Sequence, residues 1–422
     1  MHTIDFPRCR GDALRALEEW IPCASSYVKK RNFVVPGHPF VSRLSPAVRC
    51  RLVLEEEVAT LARERFAFST VEKFVQEVYW RLYWKGWLEM RPGVWRGYRK
   101  AVCELSGEKI KRATQVMDGR GGLEIMDFFA RELIETGYLH NHARMWFAGY
   151  WIHVERLPWE LGADFFYRHL LDGDPASNTL SWRWVAGLQT PGKTYLPRRG
   201  NLEKYLDPSV LEDHRGGLDQ LERVEAFRVS DHVAEIDLKA RWPSAGVVEG
   251  GLLSGRVGLW IHEDDLTIES SPLAEQVVHA ALATAPKTLW DKHGYSDRRQ
   301  AYLVEALGDG ARRAADHFGI DVMVDDRTDC ELGDCVFEWA VRERLDSVIA
   351  LWPFVGPIGD EVAGLGGMLN RHGIGLELRR RESDERILPK AKRGFFAFWK
   401  SLSGELGGSG DSDHVRGWRG RS

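Results

Sequence analysis

The 422 residues, 44% hydrophobic and 28% charged, describe an ordinary soluble globular chain long enough for two or three domains. A formal net charge of −4 gives no overall pull toward polyanions, so any nucleic-acid contact has to be a local patch. No apolar run approaches the length of a membrane span, no apolar N-terminal segment suggests secretion, and Cys9, Cys23, Cys50, Cys103, Cys330 and Cys335 form neither a CxxC pair nor a four-ligand metal set. A cytoplasmic protein with reduced thiols and no membrane partner is expected.

In chain order, residues 11–30 carry Leu14, Leu17, Trp20 and Ile21 at helical spacing. A loop rich in Pro and Gly follows at 34–40, and Ser45 with Pro46 fits a helix cap followed by its first residue. A helix is expected over 71–88 and at least a pair of helices over 124–152. No alternating strand pattern precedes about residue 225, so residues 1–205 read as all-helical.

Residues 206–255 read as a Gly-rich, charged linker with a strand or two. Strand-length apolar runs then appear at 256–262, 320–324, 347–352 and 373–380, with helices at 298–318, at 335–344 and before residue 373. Strands alternating with helices predict a Rossmann-like α/β domain with a parallel sheet over 256–402. The tail at 403–422 is expected to be disordered.

On the 71–88 helix, Glu77, Trp80, Arg81 and Trp84 stand at i, i+3, i+4 and i+7, so one face presents a carboxylate, a guanidinium and two indoles. Trp146, Trp151, Trp159, Trp182 and Trp184 are also crowded together, more than a plain helical core needs. The triplet His140, Asn141, His142 is a poor metal site, because neighbouring helical residues point about 100° apart and no acid completes a ligand set. The run from Asp172 through Asp174 and Asn178 lacks the glycine and the glutamate of a calcium loop. No metal is expected. Residues 91–112 hold seven Lys/Arg against two Glu, and Arg198 with Arg199 add a pair; these form either a solvated face or phosphate contacts.

The order HN-x-x-R-M (His140 to Met145), D-G-D-x-A-x-N (Asp172 to Asn178) and W-x-W (Trp182 and Trp184) resembles the flavin-binding domain of the photolyase/cryptochrome family. The resemblance covers roughly residues 10–205. Residues 256–402 resemble the antenna-bearing α/β domain that the family carries ahead of its helices. The chain therefore reads as a circular permutant, with the helical FAD-binding domain first.

The resemblance implies light-dependent repair of UV-damaged DNA, a cyclobutane pyrimidine dimer photolyase using reduced FAD, as a monomer. The alternatives are a cryptochrome-like photoreceptor without repair, a (6-4) photolyase, or, from another class, a helical interaction protein without a cofactor. For FAD the resemblance assigns Tyr27, the loop Ser42, Arg43, Leu44 and Ser45, then Glu77, Arg81, His140, Asn141, Arg144, Asp172, Asp174 and Asn178. Asn178 faces flavin N5, and Arg144 pairs with Asp172 beside the ring system.

For the lesion it assigns Glu77 as hydrogen-bond partner, Trp80 and Trp184 as stacking walls, and Met145 as packing surface, with Arg31 on a DNA phosphate. Trp182 and then Trp159 conduct electrons, while the third residue of that path has no match. The sequence departs from the family at Leu82, Val41 and His262, and the last bears on an antenna chromophore, which the α/β domain could hold at the C-terminal ends of its strands.

Overall fold

The computed structural model describes residues 5–190, 193–231, 233–243 and 255–407. Helices fill the first half: α1 (Arg10–Trp20), α2 (Tyr27–Lys30), α3 (Ser45–Arg49), α4 (Glu55–Arg65), α5 (Phe68–Glu89), α6 (Pro92–Glu104), α7 (Glu108–Met117), α8 (Glu124–Thr136), α9 (Asn141–Gly149), α10 (Trp159–His169), α11 (Pro175–Val185), α12 (Arg199–Tyr205) and α13 (Pro208–Asp213). The single helix expected over 11–30 is broken by a 3-10 stretch, Ile21–Ser26, that carries Pro22. The expected cap at Ser45 is displaced by one position. Leu44 takes the N-cap place without a side-chain bond, and Pro46 still lies in the first turn.

Gly137 ends α8 at φ 71°, a left-handed conformation that suits glycine, and a Cβ there would meet the Leu171 side chain at 2.7 Å. The reversal carries the chain directly into His140, the N-cap of α9. At α11 the Asp174 carboxylate accepts from the Ser177 amide at 2.6 Å and Pro175 opens the helix.

The second half is a five-stranded parallel sheet with β1 (Val257–Ile261), β2 (Ala280–Thr284), β3 (Val322–Asp325), β4 (Ser347–Leu351) and β5 (Gly375–Arg379) in the order β3-β2-β1-β4-β5. Its helices are α14 (Lys287–Lys292), α15 (Asp297–Phe318), α16 (Leu332–Arg342), α17 (Pro357–Arg371), α18 (Glu382–Ile387) and α19 (Phe395–Gly407). Leu259 of β1 lies opposite Ala281 of β2 and Ile349 of β4, and all three strands are buried throughout, as a sheet covered on both faces requires. β2 was not expected. The linker differs from expectation as well, since among its described residues there is no strand, only α13, 3-10 turns and an isolated bridge between Val34 and Leu206. The expected disordered tail begins inside α19, which runs to Gly407; the rest of it lies outside the described residues.

The two halves are joined by buried ion pairs at the C-terminal ends of the strands. Arg51 reaches Asp384 at 2.7 Å and Asp265 at 3.0 Å, and Arg49 reaches Glu263 at 2.9 Å, while within the second half Arg381 also holds Asp265 at 2.7 Å. Glu89 of α5 accepts from the Val355 amide at 2.6 Å and pairs with Arg380 at 3.3 Å. Desolvating such charges is expensive, and only this geometry compensates. Among the described residues no helix is long and apolar enough to cross a membrane.

Candidate functional site

α5 is the wall on which the site is built. It buries Val71, Phe74, Val75, Tyr79, Leu82 and Leu88 against α4, α11 and α19. Its remaining face carries the expected Glu77, Trp80, Arg81 and Trp84, and all four line a cavity of about 720 Å³. That volume lies within the usual range of ligand pockets, about 300–1,000 Å³. The loop Ser42, Arg43, Leu44 and Ser45 lines it too, with Tyr27 and Arg31 beside α2, Asn141, Arg144 and Met145 of α9, Asp172, and Asn178, Trp182 and Trp184 of α11.

Three expected site residues are not in that lining. His140 is 1% exposed and spends its Nδ1 accepting from the His142 amide. Asp174 caps α11, as described above. Trp159 lies in the core, stacked on Tyr98 with ring centroids 5.6 Å apart. All three therefore lie outside the cavity lining. Residues that sequence reasoning missed include Lys73, Tyr138, Ser177, Tyr195 and Asn201. Only Ser177 had a usable signal, its place within the D-G-D-x-A-x-N run.

The electrostatics are those of a pocket for a partly charged, planar ligand. Arg144 Nη2 donates to both oxygens of Asp172 at 3.0 and 3.1 Å. Burial pushes the Asp172 carboxyl up, but Arg144, Arg81 and a hydrogen bond from Ser45 outweigh it and hold the group below its ordinary range. Burial likewise raises Asp174, yet Lys85, Arg81 and the Ser177 amide bring it below its ordinary value. Burial, joined by His38, His142 and Arg144, drives His140 down to about 3, so it is neutral. Asn178 Nδ2 is engaged with the Ala163 carbonyl at 2.8 Å, which leaves its Oδ1 as the polar atom for the cavity.

Glu77 is more committed than expected. Arg31 Nη1 meets it at 2.5 Å and Lys73 Nζ at 2.9 Å, so Arg31 is oriented by a carboxylate and not presented alone to a phosphate. Trp80 lies flat on Phe395 of α19, with centroids 3.8 Å apart and planes 8° apart. Trp182 meets Phe166 edge-on at 5.1 Å and Trp151 at 6.3 Å.

The basic run at 91–112 does not border the cavity, and much of its charge is used internally: Arg99 pairs with Asp164 at 2.7 Å, Arg112 with Glu155 at 2.7 Å, and Arg91 donates to the Leu238 and Lys392 carbonyls. Arg199 of the second expected pair is bound to Glu203 and Glu222.

A flavin dinucleotide fits these residues. Arg81 Nη1 and Ser177 Oγ are buried donors without a hydrogen-bond partner, and both residues line the cavity. Aromatic and aliphatic walls suit an isoalloxazine plane; Ser42, Arg43 and Ser45 suit a diphosphate. At the strand ends, where an antenna group was expected, His262 Nε2 donates to the Leu351 carbonyl at 2.9 Å, and Glu263 and Asp265 are held by Arg49, Arg51 and Arg381. Among the described residues no group of three or more His, Cys, Asp or Glu is placed to hold a metal ion.

Residues 74–207 match the family described as the FAD binding domain of DNA photolyase. The deoxyribodipyrimidine photo-lyase of Streptomyces griseus is 33% identical over 150 residues, 35% of this chain and 32% of that protein. Its namesake from Thermus thermophilus is 35% identical over 160 residues, 36% of this chain and 37% of that protein. A solved bacterial class III photolyase from Agrobacterium tumefaciens is similar at 25% identity and a TM-score of 0.40, over 47% of this chain and 42% of that one. The chain spans about a third of the length of these curated relatives.

Proposed function

We propose that the chain is a member of the photolyase/cryptochrome family, its helical half carrying the FAD-binding domain, and that it repairs cyclobutane pyrimidine dimers in DNA under light. Bound reduced FAD would supply the photoexcited electron that opens the dimer. The chain's own residues do the rest. Arg81, Arg144, Asp172, Ser177 and the 42–45 loop would hold the cofactor, and the neutral Asn178 amide would face the flavin's N5. Trp80 and Trp184 flank the extruded bases, each stacked base being worth roughly 1–3 kcal/mol against the cost of leaving the duplex. Met145 packs against the lesion, and Glu77 accepts its hydrogen bond. Trp182 and, behind it, Trp159 return electrons to the cofactor.

One observation carries the reading: Glu77, Trp80, Met145, Asn178 and Trp184, assigned separately to a dimer pocket, line the same cavity. We also propose a permuted domain order. The matched helical segment precedes the sheet, and α19, which follows the sheet, returns to pack on α5. A cytoplasmic monomer acting on damaged DNA completes the proposal.

The decisive assay illuminates the FAD-loaded, chemically reduced protein with an oligonucleotide containing one thymine dimer and measures loss of the dimer. Light-dependent restoration supports repair. Reduced flavin bound without restoration of either a thymine dimer or a (6-4) lesion would defeat repair in favour of the second reading, a cryptochrome-like photoreceptor, which the double engagement of Glu77 by Arg31 and Lys73 favours. Running a (6-4) lesion in parallel separates the two repair specificities, and a colourless protein that takes up no flavin defeats both readings.

A further inference from the structure

Phe396 is 78% exposed, the most exposed of the large hydrophobic residues among those described. It belongs to the first turn of α19. The next turns of that helix are fixed: Phe395, Phe398, Trp399 and Leu402 are buried, Trp399 Nε1 donates to Glu72 of α5 at 3.1 Å, and Arg91 holds the Lys392 carbonyl at 2.9 Å. The stacking of Phe395 on Trp80 sets this turn against the cavity wall. Lys392, Arg393 and Lys400 are exposed around Phe396, Lys400 one helical turn beyond it, and none of the three forms an ion pair with a described residue. An unpaired basic cluster around an exposed, rigidly mounted aromatic ring beside the cavity wall suits a nucleic-acid strand, which offers phosphates and a π-face together.

We infer that the first turn of α19 is a DNA-contacting lip, with Phe396 stacking on a base next to the extruded lesion and Lys392, Arg393 and Lys400 meeting the phosphates. This rests on the proposed function and names a surface for it that the sequence did not assign. The basic segment at 91–112 competes poorly for the role, since Arg91, Arg99 and Arg112 are engaged within the protein and line no part of the cavity. The ring is needed because extruding a dinucleotide leaves neighbouring bases unstacked, and a projecting aromatic side chain replaces the lost face.

The test is dark binding of the FAD-loaded full chain to a fluorescein-labelled duplex with one thymine dimer, followed by anisotropy across a salt series, with the undamaged duplex as reference. Phe396→Ala should raise the Kd for the dimer duplex about tenfold, and Phe396→Trp should stay within about twofold of the native chain. The Lys392→Ala, Arg393→Ala double variant should lower the slope of log K against log salt by about 2. Circular dichroism and flavin content should be unchanged in all three, because the altered side chains are exposed. Native dimer preference with unaltered Kd and salt slope in the variants overturns the lip and leaves the proposed function standing. A native chain that does not distinguish the two duplexes overturns both.

Discussion

At the C-terminal ends of β1, β4 and β5, guanidinium groups meet carboxylates at 2.7–3.0 Å, as Arg51 does with Asp384 and Asp265, so that charge is buried against charge. Some of the cavity's polar groups end differently: Arg81 Nη1 and Ser177 Oγ are buried with no partner, and Asp172 remains an anion beside Arg144. Both regions are desolvated and both are rich in Arg and Asp. The difference lies in closure. Arg51 Nε and Arg380 Nε also lack a hydrogen bond, but each of those guanidinium groups reaches a carboxylate and so helps hold two domains in register, whereas Arg81 Nη1 and Ser177 Oγ belong to residues that line a hollow and describe the shape of a ligand.

Breaking the closed network should cost most. Arg51→Met leaves Asp384 buried without its main cation and should lower stability by about 3–5 kcal/mol in chemical denaturation of the full chain. A loss below 1 kcal/mol would place the coupling of the halves elsewhere. Asp172→Asn removes the anion that Arg144 and Arg81 serve. It should weaken FAD binding by about 2–3 kcal/mol, read as a rise in the flavin Kd by equilibrium dialysis, with folding largely kept.

His140 titrates with the opposite sign to a salt-bridged base. It is neutral when folded, with its proton affinity near pH 3, and ordinary near 6.5 when unfolded. Between those values the unfolded chain binds a proton that the folded chain refuses, so stability falls as pH drops through that window, by up to about 1.4 kcal/mol per unit. Denaturation at pH 6.5 and pH 5 should show a loss of about 1–2 kcal/mol that His140→Asn, which keeps the α9 cap, removes. The smallest effect separates the regions most sharply. Ser177→Ala deletes a hydroxyl with no internal partner, so apo stability should hold within about 0.5 kcal/mol while FAD retention weakens by about 1 kcal/mol. An apo protein destabilised more than its flavin affinity would reverse the assignment.

Where a local rule governs, the chain could be read directly. Helical spacing alone put Glu77, Trp80, Arg81 and Trp84 on one face, and alternating strands and helices announced the parallel sheet. β2 escaped because its sequence, Ala-Ala-Leu-Ala-Thr, has a single β-branched residue at its end and no aromatic one to signal a strand; burial on both faces, not propensity, makes it one. The engagement of Glu77 by Arg31 was invisible because 46 residues separate them and nothing local links the two. Asp174 shows the converse. Its place before Pro175 is a legible helix cap, and the structure shows that cap while leaving Asp174 out of the cavity lining.

The contact between Phe395 and Trp80 also orders events in time. A ribosome that has completed the helical half has made all four cavity indoles but not the ring that stacks on Trp80, because more than 150 residues of linker and sheet intervene between Tyr205 and Phe395. Trp80 must therefore wait, partly unsupported, until the sheet has emerged and α19 has docked. The pocket matures last, although most of its parts are synthesised first.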